Sequence, residues 1–258
     1  MKKKILYSSI SLLIILCIIF ISSKGTKYIG INYVVVEERV SNFEKIADFF
    51  ERYKNYKTLV KKINLDKGKN NKTINTAIWI YDNIKKPSDG DTIIDNHPWT
   101  IIERRIGVND QFSDILSVLL VFNNVDSFFR SKFNGKGHPL TFFKHKDYWS
   151  LIDPYYGIYF LDNKDQFCNL KNLKNKNCYF YHLKFGKIKK KHLVEIFYDK
   201  NFTDLEDLNN YYNFLFENLP KSQEINSTNI YKRGGRSYIQ KPYHRLVYYL
   251  QKKLLINN

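Results

Sequence analysis

The sequence predicts an α+β fold: a central helix packed on an antiparallel sheet, preceded by an apolar N-terminal helix long enough to span a bilayer. Three observations predict it. Phe112, Ile115, Leu116, Leu119 and Leu120 fall at i, i+3, i+4, i+7 and i+8, the wide apolar stripe of a helix lying beneath a sheet. Short apolar or aromatic runs separated by turn residues follow from Ser127 to Leu161, the rhythm of hairpin-connected strands. Finally, Lys2, Lys3 and Lys4 precede an uncharged run from Ile5 to Ser23, which as a helix extends roughly 27–29 Å, close to a bilayer's hydrocarbon thickness.

The N-terminal segment, 1–23, is longer than the apolar stretch of a cleaved signal, and Ser22-Ser23-Lys24-Gly25 is a poor cleavage site. It is therefore expected to remain as a transmembrane signal anchor. Its lysines would stay cytoplasmic, giving a single-pass membrane protein whose C-terminal domain is extracytoplasmic, periplasmic or extracellular. Cys168 and Cys178 would then meet an oxidising compartment, where a disulfide closing a small loop competes with two unpaired buried thiols.

Residues 24–36 read as a juxtamembrane linker ending in a brief strand. Ser41 with Glu44 three residues on forms a capping box opening a helix to about Lys62. A second helix runs over 74–85, and Pro87 to Asp91 is a turn. His97-Pro98-Trp99 reads as an ordered loop or part of a cleft wall. The central helix covers 110–122. Strands follow at 127–133, 138–143, 148–152 and 157–161, then a polar loop at 162–177. Two more strands are expected at 179–185 and 192–198, and a helix at 203–219 capped by Thr203 with Glu206. A polar linker, 220–236, leads to a last helix at 241–256. The core of the domain takes 37–165, and 166–258 is an extension of the same domain.

The balance of 42 basic against 25 acidic residues gives a formal charge of +17, which favours anionic neighbours such as phospholipid headgroups or acidic glycans. Basic residues scattered for solubility explain it equally well. No zinc-finger spacing or RNA-binding aromatic signature turns the charge into specific nucleic-acid recognition. No His, Cys or carboxylate cluster has metal-ligand spacing, and no glycine loop is built to cradle phosphate, so neither a metal nor another cofactor is expected.

One set of residues points to acyl transfer. Gly107-Val108-Asn109-Asp110-Gln111-Phe112 opens the central helix, Gly137-His138 opens a strand, and Trp149-Ser150-Leu151-Ile152-Asp153-Pro154 closes the next. A helix N-terminus lowers the pKa of a cysteine placed there, a histidine on a neighbouring strand pairs with the thiolate, and a carboxylate fixes the imidazole tautomer. At these residues the chain resembles the transglutaminase-like family, a branch of the papain-like cysteine hydrolases and transferases, over roughly 75–161. The resemblance implies His138 and Asp153 as retained catalytic positions and Asn109 at the position of the nucleophilic cysteine. Each has a plainer explanation. Asn109 is a good N-cap residue, and His138 with Asp153 could be a hydrogen-bonded pair holding two strands together.

Three functions compete. The first is a membrane-anchored, catalytically inactive scaffold of the cell envelope that binds a peptide, peptidoglycan or anionic glycan. The second is an active peptidase, amidase or transglutaminase with a relocated nucleophile, for which Ser113, Cys168 and Cys178 are the candidates. The third is a subunit of a membrane complex docking through its tail helix, whose apolar stripe is flanked by Lys241, His244, Arg245, Lys252 and Lys253.

Overall fold

The computed structural model describes residues 2–32, 34–66, 71–95, 97–130, 138–200, 202–217 and 219. It is a mixed α+β protein whose six-stranded sheet is covered by helices on both faces.

Helix α1 spans Lys2–Ser22. Among the described residues no helix is long and apolar enough to cross a membrane, which overturns the expected N-terminal transmembrane helix. Leu12, Ile15 and Ile19 stand exposed along α1. Its end is tied to the next helix, where Asn42 donates to the carbonyl of Phe20 at 2.9 Å and to the hydroxyl of Ser23 at 2.7 Å.

The segment read as a linker is instead one arm of a hairpin. Strand β1, Lys24–Ile31, pairs antiparallel with β2, Val34–Ser41. A two-residue strand, β3 (Ile94–Asp95), adds to the free side of β1. Alternation was too weak to announce β1, because Lys, Gly and Thr occupy five of its eight positions. The capping box at Ser41 is present: the Glu44 carboxylate accepts from the Ser41 amide at 2.6 Å, and the Ser41 hydroxyl accepts from the Glu44 amide at 3.1 Å. It opens α2, Asn42–Asp66. Asn71 caps α3, Lys72–Asn83. His97, expected in a loop, accepts from the Trp99 amide and caps a short helix, α4 (Pro98–Arg104), with Pro at its first position, where a missing N–H costs nothing.

Central helix α5, Asn109–Phe122, leads into β4 (Ser127–Arg130), β5 (Leu140–His145), β6 (Tyr148–Asp153) and β7 (Ile158–Leu161). The turn expected at 134–137, Gly137 included, lies outside the described residues. The sheet continues through β8 (Tyr179–His182) to β9 (Gly186–Lys187), in the order β4-β5-β6-β7-β8-β9, every pair antiparallel.

Successive side chains of a strand face opposite ways, and the two cores divide accordingly. Phe143 and Ile152 join the core under α2, α3, α4 and α5. Phe142 and Leu151, their immediate neighbours, face the core beneath α6 (Leu170–Lys174), α7 (Leu193–Ile196) and α8 (Leu205–Glu217). The polar loop expected at 162–177 thus contains a helix, capped by Asn169. The strand expected at 192–198 is a 3-10 turn running into α7. Leu193, Ile196 and Phe197 are buried while Val194 is exposed, a spacing that fits a helix and not a pleated strand. Helix α8 is capped by Asp204, which accepts from the amides of Glu206 and Asp207, while the Asp207 carboxylate takes Thr203. Cys168 and Cys178 form a disulfide. The expected linker at 220–236 and helix at 241–256 lie outside the described residues.

Candidate functional site

Three elements converge at one end of the large sheet: the N-terminus of α5, the chain entering β5 and the end of β6. Their register is set by two hydroxyls. Ser113, one turn into α5, donates to the carbonyl of Pro139 at 3.0 Å, and Thr141 donates to the carbonyl of Ser113 at 3.0 Å. The residue after His138 is thereby stitched to the helix that carries Asn109.

His138 and Asp153 meet, with Nε2 of His138 2.9 Å from Oδ1 of Asp153. Both are buried, Asp153 completely. The same Oδ1 accepts from the backbone amides of Tyr155 and Tyr156, each at 3.1 Å, and Oδ2 accepts from the Tyr212 hydroxyl at 2.7 Å. A buried carboxylate is tolerated when its lone pairs are filled in this way. Because Nε2 is engaged with the acid, Nδ1 is the ring nitrogen left to exchange a proton with a nucleophile. This is the orienting arrangement an acyl-transfer histidine requires.

Aromatic rings wall the pair. The Tyr156 ring stacks on His138 with centroids 5.0 Å apart. Tyr155 lies 5.7 Å from His138 and 5.3 Å from Phe112 of α5, joining strand and helix. Burial, then the bond to Asp199, raises the Tyr156 hydroxyl far above its ordinary pKa. It therefore stays protonated and donates to both oxygens of Asp199, at 3.0 and 2.8 Å. Burial, with the Asp153 charge second, does the same for Tyr212.

Asn109 is at the helix start as expected but does not cap it. Val108 is the N-cap residue, Asn109 is the first helical residue, and its Oδ1 accepts from the next amide, Asp110, at 2.8 Å. Gln111 does the fastening: its Oε1 accepts from the Val108 amide at 3.1 Å and its Nε2 donates to the Ile94 carbonyl at 2.6 Å. Gly107 is buried, and a Cβ there would come within 3.1 Å of Ile101, so the approach to α5 is tight.

The relocated nucleophiles fare differently. Ser113 is buried with its proton given to the Pro139 carbonyl, and the two cysteines are joined to each other. Among the described residues there is no group of three or more His, Cys, Asp and Glu able to hold a metal ion.

A second histidine, unmarked by any sequence motif, sits beside this site. His182 is fully buried, its Nδ1 accepts from the amides of Lys184 and Phe185, and its Nε2 lies 3.2 Å from the Tyr81 hydroxyl. Desolvation lowers its pKa to about 4. The neutral ring with Nδ1 as acceptor makes Nε2 the donor to Tyr81. Gly157, two residues beyond Tyr155, allows this packing: φ is +68° and a Cβ would lie 2.9 Å from the Tyr81 ring.

Tyr155, Tyr156, Asp199 and Tyr212 escaped the sequence reading. For the tyrosines the signal was only compositional, since Tyr appears 20 times and a residue so frequent marks no position, and Asp199 stands in no motif. No protein-family model, curated protein or solved structure matches this chain, so the function is argued from the residues of this site.

Proposed function

We propose that the chain is a catalytically inactive, transglutaminase-like binding protein of the cell envelope, whose acyl-transfer cleft holds a ligand and does not cleave it. The observation that carries this is the buried His138–Asp153 pair, kept in orienting geometry and fastened to a helix whose first residue is Asn109. An asparagine amide is neither a base nor a nucleophile at neutral pH, so the proton exchange this histidine is oriented for has no partner at that position. The three other candidate nucleophiles are engaged as described above. The ligand is a peptide, a peptidoglycan stem or an anionic glycan; the charge of +17 draws anionic groups to the protein surface as a whole, not to the aromatic part of the cleft. The Cys168–Cys178 disulfide favours an extracytoplasmic site, since reducing compartments keep thiols apart.

The test restores the nucleophile. In a Cys17→Ser background, which removes the exposed free thiol, Asn109→Cys is expected to react with a thiol probe at pH 7 at least tenfold faster than free cysteine, because helix N-terminus and imidazole lower thiol pKa values. Adding His138→Ala should return the rate to the ordinary value. An ordinary rate in Asn109→Cys with His138 in place would overturn the proposal.

A further inference from the structure

Lys86 has no part in acyl transfer, yet it reaches the same cleft. Its neighbour Lys85 is fixed in front of α5: the Lys85 amide donates to the Arg105 carbonyl at 2.8 Å and the Gly107 amide to the Lys85 carbonyl at 3.0 Å. From this anchored backbone the Lys86 ammonium stands 4.4 Å from the ring centre of Tyr155, 4.9 Å from that of Tyr156 and 4.8 Å from that of Tyr198. Each lies within the ~6 Å over which a ring face attracts a cation. Three rings sharing one cation make an aromatic cage.

The charges around it decide what the cage suits. Burial lowers the Lys86 pKa, while Asp199 and Asp153 oppose that by favouring the charged form. Set Lys86 aside and the lining consists of three electron-rich faces with two carboxylates behind them, one of which, Asp199, is held by the Tyr156 hydroxyl. An incoming anion would meet the Asp199 carboxylate and the negative faces of the rings, with the buried Asp153 charge behind them. A cation would meet the attraction that now holds Lys86. Tyr198, 61% exposed and in the turn after α7, is the wall of the cage that meets solvent.

We propose that Tyr155, Tyr156, Tyr198 and Asp199 form a binding site for an alkylammonium group, and that Lys86 occupies it until the ligand displaces its side chain. The ligand class is a molecule with a quaternary or primary ammonium end, and its cation would sit beside the Tyr156 ring that stacks on His138. This site does not depend on any acyl-transfer ancestry of His138 and Asp153, so it stands or falls separately from the Asn109→Cys result.

The experiment uses the full chain and tetramethylammonium chloride as the probe, with sodium chloride at equal ionic strength as control. Calorimetric titration should show Lys86→Gln binding tetramethylammonium at least tenfold more tightly than the natural protein, with the gain abolished by adding Tyr198→Ala or Asp199→Asn. A second arm needs no variant. In the natural protein, tetramethylammonium should increase severalfold the rate at which an amine-acylating reagent modifies Lys86, followed by peptide mass, because displacement frees the amine. No gain in Lys86→Gln, or a Lys86 acylation rate unmoved by the probe, would overturn the proposal. So would acetate binding to the natural protein that disappears in Lys86→Gln, since that would assign the site to anions.

Discussion

Replacing Asp153 with Ala is the most informative perturbation of the site, because its cost can be counted from the partners. Asp153 is fully buried and accepts four hydrogen bonds, from His138, two backbone amides and Tyr212, at 2.7 to 3.1 Å. Truncation leaves four donors unpaired away from water, and at about 1–3 kcal/mol for each buried orphan the loss should be at least ~4 kcal/mol. That is a large share of the roughly 5–15 kcal/mol that keeps a domain folded. Asp153→Asn retains the acceptor oxygen for the amides and His138, and Tyr212 can turn its hydroxyl to accept, so it should cost about 2 kcal/mol. Tyr212→Phe removes one bond to a charged acceptor and should cost about 1.5–3 kcal/mol. Equilibrium unfolding in urea, followed by far-ultraviolet circular dichroism, gives the series directly. The argument is refuted if Asp153→Ala costs less than about 1 kcal/mol, since the carboxylate would then not be holding buried donors.

Gly157→Ala should destabilise by about 2–4 kcal/mol, since it combines a left-handed backbone with a Cβ driven against Tyr81; thermal unfolding with and without the substitution measures it. Reducing the Cys168–Cys178 bridge should cost about 2–3 kcal/mol, the chain entropy of reopening a short loop, read as a shift in urea midpoint on adding dithiothreitol. The His182 pKa is lowered to about 4 from 6.5 in the folded state, so the unfolded chain binds more protons between those values. Stability from this group is complete above about pH 6.5, falls as pH drops toward 4, and is level below it, a total change of about 3 kcal/mol. His182→Gln should remove that pH-dependent component, as a comparison of unfolding curves at pH 7 and pH 4.5 would show.

Local signals were legible where a few neighbouring residues decide the outcome. The Ser41–Glu44 box and the apolar face of α5 appear where the sequence places them, and the apolar runs of β5 and β6 pair as a hairpin, with β5 two residues later than expected. His138 and Asp153 were legible as a pair because the expected hairpin brings them to one end of adjacent strands. What failed did so for stated physical reasons. Leu193 to Phe197 carries too few residues to tell a helical turn from a strand, and only its burial against α8 and the sheet settles which. Asn109 has the chemistry of a cap, but Val108 takes the N-cap position and Asn109, as the first helical residue, bonds only the adjacent Asp110 amide. Lys86 and Asp199 are distant in sequence and become neighbours only through the tertiary fold.

The bond from Tyr212 to Asp153 also fixes an order of events. The two residues are 59 apart in the chain, and α8 follows every strand of the sheet. A contact between residues so far apart must wait for the intervening chain to close, and a chain emerging from the ribosome exposes β5 and β6 well before α8. Until α8 docks, Asp153 lacks one of its partners and the carboxylate is only partly anchored. The anchoring of Asp153 is therefore complete only once α8 is in place, and a chain cut short before Tyr212 would retain the strands of the site without this restraint.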